Sequence, residues 1–169
     1  MKYNTEFAIG SKLVSINDPV YFIADIASNH DGDLNKAKEL IWQAKESGAD
    51  AVKFQHFLAD KIVSDYGFKH LGKQAGHQAA WKKSVFDVYK ECECNRSWNQ
   101  ELADTARQAQ IDFMTTPYDV EAVNELDKYI PAYKIGSGDI TWIDFIRMIA
   151  GKNKPVLLAT GASDMSDVV

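Results

Sequence analysis

The sequence predicts an α/β protein built on a parallel sheet. Three observations carry that expectation. Apolar runs alternate with segments of helical periodicity, joined for the most part by short links. Five of the apolar runs begin apolar and end polar. The composition is that of an ordinary globular chain, with 46% of 169 residues hydrophobic and 25% charged, enough for one domain with a sizeable core.

Taken in order, "EFAIG" and "KLVSI" flank a turn at Gly10-Ser11 and read as an opening hairpin. "PVYFIADIAS" is the first strand of the main sheet. In "GDLNKAKELIWQAKESG", Leu34, Ala37, Leu40, Ile41 and Ala44 recur at helical spacing, and Gly48 stops the helix. "ADAVKFQHF" is the second strand. "SWNQELADTARQAQ" is a helix with Ser97 as its expected N-cap. "IDFMTTP" is a strand ended by Pro117, and Asp119 caps the helix "DVEAVNELDKY". "PAYKIGSG", "TWIDFIRMIAG" and "KPVLLATG" continue as strand, helix and strand, and "SDMSDVV" opens a further helix.

The exception to short links is residues 58–96, which hold a possible helix, "QAAWKKSVFDVYKE", and a weakly periodic stretch, "KIVSDYGFKHLGKQAGHQ". A connection of that length after a strand reads as a lid or binding segment, with a decorative insertion as the alternative.

Several classes are excluded. The net charge is -5 and no Lys/Arg-rich run occurs, which argues against a nucleic-acid surface. No apolar run is long enough to span a bilayer, and the first ten residues lack a secretory h-region. Cys92 and Cys94 form a C-x-C pair, neither a zinc spacing nor a disulfide framework, so two reduced thiols in a cytoplasmic protein are expected.

Chemistry-bearing side chains gather at the strand ends: Asp25 and Asn29, Lys53 and Gln55, Thr115 and Thr116, then Lys134, Ser137 and Asp139, then Thr160 and Gly161. In a parallel sheet these ends lie on one side, where active sites sit in β/α barrels and in open doubly wound sheets. Alternation puts Lys53 and Gln55 on one face and Phe54 and His56 on the other, so His56 is not expected to ligate a metal. By the same count Asp25, Ala27 and Asn29 share a face. His30 is expected to fix its loop by hydrogen bonds. Two lysines inside apolar strands need partners, which are a bound phosphate or carboxylate, or ion pairs with Asp25 and Asp139. The glycines of "GSG" would let backbone N–H groups approach such an anion.

The stretch "IADIASNHDGDLNKAKELIWQAKESGADAVKFQHF", followed by "TTPYD", "AYKIGSGDIT" and "KPVLLATG", resembles the sialic acid synthase family from about Glu6 onward. "VKFQ" and "YKIGSGD" are its most specific parts. The resemblance implies a (β/α)8 barrel of which this chain holds about the first five β/α units, after an N-terminal hairpin. Residues 1–169 would then be the N-terminal part of one phosphoenolpyruvate-condensing domain. It further implies condensation of phosphoenolpyruvate with an N-acetylmannosamine-type amino sugar to a sialic-acid-like nonulosonate, with release of phosphate. Lys53, Thr116, Lys134 and Ser137 match positions that hold phosphoenolpyruvate, and Gln55 and Asp139 match positions facing the sugar. Asp25 matches an acid/base or substrate-orienting glutamate, one methylene longer in many members. Asp139 likewise replaces a glutamate in some, and Ala159 stands where several have a serine. These departures fit a branch acting on a different amino sugar.

The resemblance also implies a divalent metal, Mn2+ or Mg2+, held by histidines downstream of this chain, and a homodimer at full length. Other readings are a different phosphoenolpyruvate–aldose synthase, a Schiff-base aldolase using Lys53 or Lys134, and a half-barrel without catalytic competence.

Overall fold

The computed structural model describes residues 4–70 and 80–168. A hairpin of β1 (Glu6–Ile9) and β2 (Lys12–Ser15) precedes five parallel strands. These are β3 (Ile23–Ala27), β4 (Ala51–His56), β5 (Asp112–Pro117), β6 (Tyr133–Ile135) and β7 (Val156–Leu158), hydrogen-bonded in chain order. The longer connecting helices are α1 (Leu34–Glu46), α5 (Asn99–Gln108), α6 (Val120–Leu126) and α7 (Ile143–Ala150). The chain closes with α8 (Met165–Val168).

Alternation along the strands separates two cores. Val52, Phe54, Phe113, Tyr133 and Ile135 face the helices, where they meet Ile41, Leu102, Leu126 and Ile149. On the opposite face Ala51, Met114 and Ala132 are buried with Ile9 of the hairpin, beside Ile23 and Leu157. The hairpin therefore covers the lower part of that second face, below the polar strand ends. Its turn needs Gly10: φ is +56°, and a Cβ there would lie 2.6 Å from the Asp112 carboxylate.

The periodic segments fold as expected, with three local differences. Asn95 accepts from Ser97 N–H at 3.0 Å and caps a 3-10 turn over Arg96–Trp98, and the N-cap position of α5 itself is Trp98, which makes no side-chain cap, so Ser97 does not cap the helix. Asn95 wins because the chain enters α5 through that extra turn. The second difference is a β-bulge in β3. Asp25 pairs with Lys53 and Ala27 with Phe54, so Ile26 and Ala27 oppose one residue of β4. Ala27 adopts φ +51°, and the alternation that would place Ala27 and Asn29 beside Asp25 ends there. Third, the strand in "PAYKIGSG" is short, and Ser137–Asp139 leave it as a 3-10 turn.

Residues 58–96 are largely helical where described. They contain α2 (Ala59–Ile62), α3 (Asp65–His70) and α4 (Val85–Glu91), the last capped by Ser84 accepting from Asp87 N–H. Residues 71–79, inside the weakly periodic stretch, lie outside the described residues. No helix among the described residues is long and apolar enough to cross a membrane.

Candidate active site at the strand ends

The register of the parallel sheet sets the site. Asp25 lies beside Lys53, Gln55 beside Thr116, and Lys134 beside Leu157, all pointing away from the helix layer. Lys53 is buried with its Nζ 2.9 Å from Asp25 Oδ1, while the Asp25 side chain is 60% exposed. The carboxylate is thus not a core group, as its apolar neighbours suggest. It stands on the first strand of the sheet, on the open upper part of this face.

Lys134 is half-buried and donates to Ile135 O at 2.6 Å, without a direct ion pair to Asp139. Burial lowers its ammonium from the ordinary lysine value, and the like charge of Lys53 adds to this, against Asp25 and Asp139. Two cations repel each other across this site, and an anion between them would relieve both. Asp139 is itself shifted upward by burial, and its Oδ2 is buried without a hydrogen-bond partner. Thr116 is buried on the same face. Ser137 begins the turn after β6 and lies against Gly161, with its Oγ 3.9 Å from where a Gly161 Cβ would be. Gly138 is exposed with open space above its Cα, so the approach of a ligand to this turn is unobstructed.

Gln55 and Asp139 belong to a cavity of about 680 Å3 roofed by the insertion. Sequence reasoning missed its aromatic lining. Tyr118 accepts from Gln55 Nε2 at 2.9 Å. Trp142 stacks on Phe145 at 4.3 Å between centroids, and Phe57 packs on Tyr89 at 5.5 Å. The available signal was the density of aromatic residues in 57–89 and directly after β5, which strand alternation does not interpret.

The two histidines of this region are structural. His30 is buried and accepts from Gly32 N–H through Nδ1 at 3.1 Å, fixing the first loop as expected. His56 faces the helix layer. His56 Nδ1 and Thr115 Oγ1 share a hydrogen bond of 2.7 Å, and Thr115 Oγ1 also lies 3.2 Å from Phe54 O. Burial lowers the pKa of both rings, that of His56 to about 3.

A pH prediction follows. Folded, the His56 ring stays neutral, whereas in the unfolded chain it titrates near 6.5. Its stabilising contribution is complete above about pH 6.5 and is lost as pH falls toward about 3, by about 1.4 kcal/mol per pH unit, and His30 adds a contribution of the same sign. Denaturant melts from pH 7.5 to 4.5 should show this slope, and His56→Gln should reduce it by about one proton. An unaltered slope would mean that His56 takes up its proton equally in the folded and the unfolded chain.

Among the described residues no three His, Cys, Asp or Glu side chains gather as metal ligands. The described residues therefore do not make a metal site by themselves.

The NeuB family model matches residues 40–169. The chain belongs to the NeuB family. It is 35% identical to the N,N'-diacetyllegionaminic acid synthase of Legionella pneumophila, over 88% of this chain and 41% of that protein. It is 37% identical to the spore coat polysaccharide biosynthesis protein SpsE of Bacillus subtilis, over 96% of this chain and 42% of that protein. The chain thus spans about two fifths of these relatives, 41% and 42% of their lengths. Its fold is similar to the N-acetylneuraminic acid (sialic acid) synthetase of Leptospira borgpetersenii serovar Hardjo-bovis, solved in complex with citrate. That match has a TM-score of 0.81 and 27% identity over 96% of this chain and 52% of that one.

Proposed function

We propose that residues 1–169 are the first five β/α units of a (β/α)8 barrel that condenses phosphoenolpyruvate with an N-acetylmannosamine-type amino sugar. The observation that carries the reading is the lysine pair on one face of the sheet, flanked by Asp25 and Asp139 and adjoining a separate aromatic cavity. A small, highly charged anion and a larger neutral partner would each find a matching surface.

In this reading Lys53 and Lys134 hold the phosphate and carboxylate, and the Thr116 and Ser137 hydroxyls add neutral donors. Gln55 and Asp139 face the open-chain sugar. C3 of phosphoenolpyruvate attacks the sugar aldehyde, forming the new C–C bond, and positive charge develops at C2. Water adds at C2, the tetrahedral adduct collapses to a ketone, and the bridging C–O bond breaks to release phosphate. Asp25 takes the proton from that water or orients the sugar. The resemblance also implies a divalent metal, which would be held by histidines that the described residues do not supply and would polarise the aldehyde. A cytoplasmic homodimer belongs to the same reading.

The test is phosphate release by the full-length protein. Release should require both phosphoenolpyruvate and an amino sugar, and failure with every N-acetylated hexosamine tried would refute the reading. A second reading is a Schiff-base aldolase using Lys53 or Lys134; burial shifts Lys134 below the ordinary lysine value, the direction such a nucleophile needs. Borohydride in the presence of a carbonyl substrate should leave Lys134 unmodified if condensation is correct, and covalent trapping would establish the aldolase.

A further inference from the structure

The loop between β3 and α1 concentrates left-handed backbone. Ala27, Asp31 and Gly32 adopt φ of +51°, +50° and +72°. An alanine in that region crowds its own Cβ against the following carbonyl, so it persists only where its surroundings impose it. Ala27 is also the second residue of the β-bulge that begins after Asp25. A bulge bends and twists its strand and so aims the side chain beside it. Here that side chain is Asp25, 60% exposed, whose described ion pair is to Lys53 at 2.9 Å.

Asn29 holds the bulge shut. Its backbone N–H donates to Ile26 O at 2.9 Å, and its side-chain Nδ2 donates to the same oxygen at 3.0 Å. Ile26 is itself anchored, buried in the helix-side core. Past Asn29 the chain is pinned turn by turn. Asp31 N–H donates to Ser28 O at 3.2 Å, Asp33 N–H donates to His30 O at 2.9 Å, and buried His30 accepts from Gly32 N–H. Asp33 then caps α1. Asn29 thus ties the fixed start of a helix to the carbonyl of the residue that follows Asp25. The bulge breaks the alternation that would bring Asn29 itself to the lysines, so its route to the chemistry runs through Asp25.

We infer that Asn29 is a positioning residue for the Asp25 carboxylate: by clamping Ile26 O it fixes the bend of β3 that keeps Asp25 against Lys53. Without the side-chain N–H, one bond from Asn29 remains to hold the bulge with Ala27 at φ +51°. The strand end would then relax toward regular geometry, and the carboxylate would leave Lys53 for part of the time. The inference rests on the role given to Asp25 in the reading above.

The test is a double-mutant cycle in the full-length protein. Asn29→Ala should lower kcat about tenfold, the scale of one hydrogen bond, and leave KM for phosphoenolpyruvate unchanged or lower. In the Asp25→Asn background the same substitution should cost less than about twofold, because the group it positions is gone. Asn29→Asp keeps the shape, but an ionised carboxylate has no N–H to give Ile26 O, so near neutral pH it should lose as much kcat as Asn29→Ala. Inorganic phosphate, titrated against the resting protein, gives a readout free of turnover. Asn29→Ala and Asp25→Asn should each tighten it about threefold by releasing Lys53, and the double variant should tighten it no further. A tenfold loss of kcat in both backgrounds would overturn the inference and leave the condensation standing, as would full activity of Asn29→Asp. Tighter phosphate binding in Asp25→Asn but not in Asn29→Ala would overturn it too. Coupled phosphate affinities with no turnover of phosphoenolpyruvate under any condition would instead uphold the clamp and reject the condensation.

Discussion

Asp25→Asn in the full-length protein is expected to lower kcat by about 10²–10⁴, the range for losing an acid/base group. Binding of phosphoenolpyruvate should not weaken, and here the structure adds to the sequence reading. Asp25 sits 2.9 Å from buried Lys53 and is the counter-ion of that lysine. Neutralising it leaves Lys53 freer to attract the anion, so KM for phosphoenolpyruvate should hold or fall while kcat collapses. Such a split identifies a group acting in the transition state rather than in uniform binding. A folded Asp25→Asn enzyme with normal turnover would make the carboxylate a partner of Lys53 and nothing more.

Lys134→Ala should weaken phosphoenolpyruvate binding by about 2–4 kcal/mol, through loss of a charge-assisted contact in a half-buried site. The fold should survive, because the only hydrogen bond described for the ammonium is to the neighbouring Ile135 carbonyl, at 2.6 Å. The removed charge also relieves Lys53 of a like neighbour, which offsets part of the loss. Titration of phosphoenolpyruvate into the variant measures it directly, and unchanged affinity would remove Lys134 from the site.

How far the sequence was legible depends on what each feature leaves in the residue types. Ala37, Ile41 and Ala44 announce α1 because burial on one helix face imposes their spacing. Asp119 announces α6 because a cap needs a short acceptor side chain, and it does accept from Ala122 N–H at 2.8 Å. Lys53 and Lys134 stand out because a charge within an apolar strand needs a reason. The bulge at Ile26 and Ala27 left no trace, since an alanine at positive φ looks like any alanine. The cavity was hidden for another reason. Its aromatic residues come from the position just after β4, the insertion and the turns after β5 and β6, and no local period joins them. Tyr118 in "TTPYD" reads as a turn residue until its hydroxyl is seen beside Gln55.

The most direct test of the central claim, that these strand ends run a condensation centred on C2 of phosphoenolpyruvate, follows one oxygen atom. Phosphoenolpyruvate carrying 18O in its bridging C–O–P position is turned over by the full-length protein with an N-acetylated hexosamine, and the products are weighed. Addition of water at C2 predicts that the label leaves entirely in the released phosphate. Label retained at the C2 ketone of the sugar product would mean that the P–O bond is the one that breaks, and would contradict the account.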